Sequence, residues 1–414
     1  MKHIIIGNGP AGVIAAETLR RLQPAAEIAL IGDEPEPPYA RMAIPYFLQG
    51  RIDTQGTHLR KAHDHFSRFG IHLIQGRVTC VDSAVKQIEF ASGERLAYDK
   101  LLIATGSRPL RPHVPGIDLP QVHTCWTLDD ARAIAAHARP GARVVQLGAG
   151  FIGCIILEAL ATRGVALSIV EMGDRMVPRM MTPQAGAMIR RWVEQRGVKV
   201  HLNTAVTAIE ADGDALRVKL SVAGATQEEI PADLVICAAG VSPNVDFLAG
   251  SGVAIGRGVR VDHGMRTSVP DIFAAGDVTE APGFHTQAPQ LNAIQPNAVE
   301  QGRIAALNMA GANAALPGSL AINVLDTLGL ISTSFGQWQG VGDGVELVDE
   351  ANYRYLSLQF DDDVLIGATS IGWTDHVGAL RGLIQSRTRL GAWKTRLKAD
   401  PTQFMAAYLA CLQG

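Results

Sequence analysis

The sequence has no long hydrophobic run, no excess of one charge, few aromatics and no paired cysteines. No stretch approaches the roughly 18–20 consecutive apolar residues that a membrane helix needs, which excludes an integral membrane protein. Lys and Arg number 37 against 40 Asp and Glu, a net charge of −3, and that balance argues against a general nucleic-acid binder. The five cysteines, at 80, 125, 154, 237 and 411, come no closer than 29 residues and include no CxxC. No spacing among them suits zinc or an iron–sulfur cluster, so no metal site is expected. Cys154 and Cys237 stand in apolar stretches and read as small buried hydrophobes. The 43 glycines follow no Gly-X-Y period, and 47% of the residues are hydrophobic; collagen and disorder are both excluded. The chain opens MKHIIIGNGP, a strand with no room for the parts of a secretion signal, so a cytoplasmic location is expected.

The first landmark lies in that opening. HIIIG runs into Gly7-Asn8-Gly9-Pro10-Ala11-Gly12, a helix follows (VIAAETLRRL), and a second strand, EIALIG, ends at Asp33-Glu34. Glycines are needed here for three reasons: a tight bend, backbone approach to a pyrophosphate, and packing of the helix on the strand. The helix N-terminus then offers free N–H groups and partial positive charge to the phosphates.

The pattern returns at RVVQLG, which leads into Gly148-Ala149-Gly150-Phe151-Ile152-Gly153, the helix CIILEALATRG and the strand ALSIV, closed by Glu171. One GxGxxG is a weak signal. Two, each between strand and helix and each closed by an acid, predict two dinucleotides on one chain. Between them, residues 107–120 hold four prolines, which reads as a crossover between domains. LLIATGSRP, DLVICAAGVSPN with Gly240, and DIFAAGDV ending in Gly276-Asp277 are apolar strands running into small-residue turns. From about residue 320 new alternating strands (YRYLSLQF, DVLIGATSIG) precede helical sequence and suggest a further domain.

GxGxxG, ATG, a second GxGxxG and AAGD, in this order, resemble the FAD-dependent pyridine nucleotide reductases. The resemblance implies an α/β protein with two Rossmann-like dinucleotide-binding domains, glutathione-reductase-like, and a C-terminal α+β domain. It implies an FAD domain in two parts, 1–113 and 244–318, an NAD(H) domain at 114–243, and an interface domain at 319–414. By the same likeness Gly7, Gly9, Pro10, Ala11 and Gly12 would cradle the FAD pyrophosphate, and Asp33 or Glu34 the adenosine ribose. Arg41 would lie near the diphosphate, Thr105 and Gly106 in the ATG turn, and Asp277 on the ribityl chain. Ile294 and Gln295 would approach the isoalloxazine. Gly148, Gly150, Phe151, Ile152 and Gly153 would hold NAD(H), with Phe151 a candidate gate over the flavin and Gly240 in the matching turn. Glu171 would accept from the ribose 2′-OH and repel a 2′-phosphate, favouring NADH, although Arg175 stands close enough to temper that preference.

Two departures narrow the chemistry. Met42 occupies the position where coenzyme A disulfide reductases and NADH peroxidases hold their redox cysteine, and a thioether forms neither thiolate nor disulfide. A Lys–Glu pair that many relatives place beside the flavin is replaced by Tyr46 and Ile155. Losing both partners together leaves no unpaired buried charge, and direct hydride exchange between nicotinamide and flavin N5 needs neither acid nor base. With no redox cysteine and no metal, electrons must leave the polypeptide or return to NAD⁺. The resemblance extends to reductases of rubredoxin and ferredoxin and to the NADH-handling flavin subunits of 2-oxoacid:acceptor oxidoreductases such as phenylglyoxylate dehydrogenase. It implies one-electron exchange with an iron–sulfur protein or subunit, in an oligomer or hetero-complex. Alternatives are a free-standing NADH oxidase, quinone or rubredoxin reductase, and an NADH sensor similar to apoptosis-inducing factor.

Residues 376–414 carry Arg381, Arg387, Arg389, Lys394, Arg396 and Lys398 against the single acid Asp400, a local charge of +5. Such a stripe fits docking of an acidic electron carrier, and the apolar FMAAYLACL after it reads as a subunit contact. His58, His63, His65 and His72 read as surface or packing residues, with His63 and His65 on opposite sides of a helix. Asp361-Asp362-Asp363 reads as a hairpin turn.

Overall fold

The computed structural model describes residues 1–222 and 226–412. The chain forms two compact units, one from residues 1–47, 52–108 and 241–320, the other from 48–51, 109–240 and 321–414. The sequence reading divides the chain at 113/114, 243/244 and 318/319 and gives the C-terminal stretch a body of its own. Here that stretch shares a unit with residues 109–240.

The first unit is built on five parallel strands in the order Ile272–Ala274, Lys100–Ile103, Lys2–Ile6, Glu27–Gly32, Ile71–Gln75. Ile4, Ile5, Ile28, Leu30, Leu101 and Leu102 are fully buried, which is why these strands read as continuous aliphatic runs instead of alternating ones. The chain order reverses beside Lys2–Ile6, so a crevice is expected at that strand's carboxyl end, where Gly7 stands. Helix Pro10–Leu22 starts one turn earlier than its apolar pattern, because Pro10 has no N–H to lose in the first turn. His3 is buried in the central strand with Nε2 2.6 Å from Gln23 Oε1. His65 lies 2.8 Å from Glu17, which also takes two bonds from Arg60 at 2.6 Å. The short helix begins only at His65, so His63 precedes it and the two do not share a helix.

The second unit holds another parallel sheet, in the order Lys199–His201, Ala166–Val170, Arg143–Leu147, Leu234–Cys237, Val122–Thr124. A three-stranded meander, Thr204–Asp212, Ala215–Val222 and Thr226–Ala232, lies in sequence between Lys199–His201 and Leu234–Cys237. The C-terminal stretch forms a five-stranded antiparallel sheet ordered Ile322–Thr327, Leu330–Gly336, Val364–Ile371, Arg354–Asp361, Asp343–Asp349. Asp362 and Asp363 fall between two of its strands, and Asp363 accepts the Gly391 N–H at 2.9 Å. Polar contacts tie this sheet to residues 109–240. Thr182 donates to Tyr355 at 2.9 Å, Tyr355 to Glu346 at 2.7 Å, and Trp192 Nε1 to the Leu328 carbonyl at 3.1 Å.

Helices Val377–Ser386, Ala392–Ala399 and Phe404–Leu412 finish the chain. Phe404 and Ala407 are buried within the unit while Leu409 is exposed, so part of the apolar FMAAYLACL face is already covered by its own chain. No helix among the described residues is long and apolar enough to cross a membrane.

Candidate functional site

In the first unit, four chain segments meet at the carboxyl end of Lys2–Ile6. Gly7 adopts φ +113, and a Cβ there would come within 2.0 Å of the Ala104 carbonyl oxygen, so only glycine lets the first turn cross the ATG turn. A Cβ at Gly12 would meet the Gly7 carbonyl at 1.9 Å, which is how the helix closes on the turn. Gly9 caps the helix without any side-chain hydrogen bond, and a Cβ there would meet nothing within 4 Å. The turn is thus closed behind and open in front, with uncapped N–H groups of Ala11 and Gly12 at its mouth; a pyrophosphate fits this arrangement. Thr105 and Asn244 bond reciprocally, Thr105 Oγ1 to the Asn244 carbonyl and Asn244 Nδ2 to the Thr105 carbonyl, both at 2.9 Å. Gly106 completes that turn at φ +63.

Asp277 follows Gly276 beside the same helix start. Burial pushes its carboxyl above the ordinary range, against the pull of the Arg41 charge and a Ser107 hydroxyl 3.5 Å away. Glu34 is held by Arg41 and Tyr39, each at 2.6 Å, while Asp33 is exposed. Beyond Glu34 opens a cavity of about 300 Å³ lined by Asn8, Gly32, His58, Arg60 and Gln75 among others. Ile294 caps and Gln295 opens helix Gln295–Met309, both half-buried.

The second unit repeats the turn. Gly148 has φ +100 and Gly150 caps the helix at φ −73, ψ −172, against φ −75, ψ −173 at Gly9. A Cβ at Gly153 would meet the Gly148 carbonyl at 2.5 Å, and one at Gly150 nothing within 4 Å. Phe151 and Ile152 begin the helix and are half-buried. Glu171 accepts the N–H of Ala149 at 2.8 Å and of Gly173 at 2.7 Å, so the acid sits against the turn. Arg175 is engaged elsewhere, with NH1 3.0 Å from Asp174 and Nε donating to the Met181 carbonyl at 3.1 Å. Gly240, at φ +110, accepts the Leu110 N–H at 2.9 Å.

Met42 is half-exposed in the first unit. Burial pushes the Cys125 and Cys154 thiols up to about 12, so neither is a thiolate near neutrality.

Three residues of this frame went unassigned in the sequence: Asn244, Gln146 and Gln301. Gln146 is fully buried in an apolar strand and donates to the Gly148 carbonyl at 2.9 Å. A polar residue inside an aliphatic run was the available signal.

The C-terminal bases do not form the free stripe expected from their count. Lys394 and Lys398 pair with Asp343 at 2.7 and 2.5 Å, and Arg389 approaches Asp362 at 3.9 Å. Arg396 lies over the Trp393 ring, and Arg381 donates to Gln385 at 3.0 Å. The neutralising acids come from the preceding strands and their turn, outside the window in which the charge was counted.

Two matching glycine turns, one in each unit, suit two dinucleotides on one chain. Residues 1–302 match the model of the pyridine nucleotide-disulphide oxidoreductases, and the chain belongs to that family. It is 31% identical over 407 residues to the NADH-dependent phenylglyoxylate dehydrogenase subunit epsilon of Aromatoleum evansii, covering 97% of this chain and 95% of that one. It is 36% identical over 279 residues to the biphenyl dioxygenase system ferredoxin–NAD(+) reductase component of Paraburkholderia xenovorans, 67% of each chain. The crystal structure of a ferredoxin reductase from Rhodopseudomonas palustris superposes with a TM-score of 0.83 at 29% identity, over 91% of this chain and 92% of that one. The protein is an FAD-dependent NADH oxidoreductase, and its cofactors are FAD and NAD(H).

Proposed function

We propose that the chain exchanges electrons between NAD(H) and an iron–sulfur protein or subunit, as the NAD(H)-reacting flavin subunit of a larger complex. FAD supplies the chemistry, taking or giving a hydride at the nicotinamide and single electrons at the acceptor. The residues bind and orient. Gly7, Gly9, Pro10, Ala11 and Gly12 hold the FAD pyrophosphate with Arg41 close by, and Asp33 or Glu34 takes the adenosine ribose. Asp277 accepts from the ribityl chain, Thr105 and Gly106 shape the crevice, and Ile294 and Gln295 approach the ring. Gly148, Gly150, Ile152 and Gly153 hold the nicotinamide dinucleotide, Gly240 shapes the neighbouring turn, and Phe151 gates the flavin. Glu171 selects NADH by accepting from the ribose 2′-OH.

The observation that carries this reading is the repeated turn, one in each unit, with Met42 in place of a redox cysteine. No thiol relay is then available between cofactor and acceptor. The subunit form is favoured by likeness along nearly the whole chain to a protein named as a subunit of an NADH-dependent dehydrogenase.

The test is anaerobic mixing with one equivalent of NADH, followed by oxidised [2Fe–2S] ferredoxin, ferricyanide or air-saturated buffer. Rapid bleaching of the flavin band and faster recovery with ferredoxin than with oxygen are expected. Recovery at the same rate with oxygen would replace the proposal with an NADH oxidase. A band that stays bleached with every acceptor would make the chain an NADH sensor.

A further inference from the structure

The stretch LNAIQPNAVEQG holds two adjacent residues to which the cofactor assignment gives no task. Gln301 is 3% exposed on helix Gln295–Met309. Its Oε1 accepts the backbone N–H of Gly276 at 2.8 Å and the Thr279 hydroxyl at 3.0 Å. The N–H of Gly276 has no freedom to become an acceptor, so it selects the oxygen end of the amide. The turn is also closed on itself, with the Thr279 N–H 2.9 Å and its hydroxyl 2.8 Å from the Gly276 carbonyl. Gln301 is therefore a side-chain tether between this turn and the helix.

Gly302 stands against the other cofactor-binding piece. A Cβ there would come within 2.4 Å of the Ala11 carbonyl, and Ala11 is the second residue of the helix that leaves the first glycine turn. Gly276 touches both neighbours, since a Cβ on it would lie 3.2 Å from Ala11 Cβ and 3.5 Å from Ala298 Cβ. One helix thus sets the spacing between the pyrophosphate turn and the turn that presents Asp277.

We infer that Gln301 is a positioning residue for FAD: its side-chain carbonyl fixes the Gly276–Asp277 turn, and it acts through Asp277 without touching the cofactor. The inference rests on the ribityl role proposed for Asp277. Its distinctive content is that an acceptor, and not merely volume, is required at position 301. Gln301→Met keeps the length and removes the acceptor, leaving a buried N–H unpaired. Gln301→Glu keeps an acceptor oxygen whether or not it is protonated.

The experiment measures FAD dissociation constants for wild type, Gln301→Met, Gln301→Glu, Asp277→Ala and the Gln301→Met/Asp277→Ala double variant. The rise in thermal midpoint on adding FAD is read against each variant's own FAD-free form, so any loss of intrinsic stability cancels. Gln301→Met is expected to weaken FAD about tenfold or more and Gln301→Glu less than about threefold. In the Asp277→Ala background Gln301→Met should add less than about twofold, because residues acting as a unit are not additive.

Wild-type affinity in Gln301→Met, equal losses in the Met and Glu variants, or a full additional loss in the double variant would each overturn the proposal while leaving Asp277 its role. Wild-type affinity in Asp277→Ala would remove the ribityl assignment and the proposal with it. Should Gln301→Met fail to fold, Thr279→Val deletes the hydroxyl that lies against both Gln301 Oε1 and the Gly276 carbonyl. About two- to fivefold weaker FAD is then expected, and no change would overturn the proposal.

Discussion

Glu171 Oε2 accepts the backbone N–H of Ala149 at 2.8 Å, so the acid closing one strand fixes the glycine turn that closes the neighbouring strand. The same carboxylate binds the Gly173 N–H at 2.7 Å and keeps lone pairs for a ribose hydroxyl. In the proposed reading, specificity and turn geometry share one side chain.

Replacing Glu171 by Ala should act on both. The ratio of kcat/KM for NADPH to that for NADH is expected to rise about tenfold, since a charged acceptor contributes roughly 1.5–3 kcal/mol. KM for NADH itself should also rise as the turn loosens. Steady-state kinetics with both nucleotides check this, and an unchanged ratio would sink the ribose assignment. Arg175 is not expected to rescue NADPH, because Asp174 and the Met181 carbonyl hold it.

The glycine turns could be read from the sequence because each is a local event. Gly7 to Gly12 form bend, cap and close packing within six residues, and spacing alone reports them. Gln301 and Asn244 could not be read this way, since their partners, Gly276 and Thr105, are adjacent only after the sheet has formed. The pairing of Lys394 and Lys398 with Asp343 failed for the same reason. A charge counted along the chain misses acids brought in by another strand. The grouping of 321–414 with 109–240 includes long-range contacts such as Thr182 to Tyr355, for which neither residue carries a motif.

Acid should destabilise the protein in two separate windows. His3 is held below the ordinary histidine value by burial, with Gln23 and Asp99 opposing and Lys100 and the chain's amino terminus assisting. It is neutral in the folded state, while the unfolded chain takes up a proton below about pH 6.5. Stability is then complete above that pH and falls as pH drops toward the folded-state value, by up to about 1.4 kcal/mol per pH unit. Burial acts against Glu17, yet hydrogen bonds from Arg60 and His65 hold its carboxyl below the ordinary range. Its contribution is present above about pH 4.5 and is lost below it. Urea midpoints from pH 3 to 8 should flatten below about pH 6.5 in His3→Gln and only below about 4.5 in Glu17→Gln. Identical profiles for the two variants would refute the assignment.

Thiol reagents should leave the NADH-to-acceptor reaction intact. Met42 offers no thiol, and burial keeps Cys125 and Cys154 protonated, near 12. Cys80 is exposed but lies on strand Val78–Asp82 of a separate three-stranded antiparallel sheet with Gln87–Phe90 and Arg95–Ala97. After N-ethylmaleimide treatment under native conditions, ferricyanide reduction by NADH is expected to stay within about 20% of the untreated rate, because the thiolate is the reacting species. Loss of more than half the activity, prevented by prior reduction of the flavin, would reveal a thiol in the path.

Docking of an acidic carrier on the C-terminal helices should depend on fewer cations than the sequence supplies. Lys394 and Lys398 already face Asp343, whereas Arg381 and Arg396 lie against the neutral Gln385 and Trp393. Charge reversal of Arg381 and Arg396 should slow reduction of an acidic [2Fe–2S] ferredoxin several-fold at low salt and leave ferricyanide reduction unchanged. The difference should vanish near 0.5 M salt, where the screening length drops to about 4 Å. Reversal of Lys394 and Lys398 frees Asp343 and changes the same surface charge, so both pairs would slow the reaction equally if net charge alone mattered. A larger effect for Arg381 and Arg396 is expected, because steering is strongest where the cation is not neutralised at contact distance. Equal slowing with ferredoxin and ferricyanide would mean instead that the substitutions disturb the fold or the flavin, and this face would be released from any role in docking.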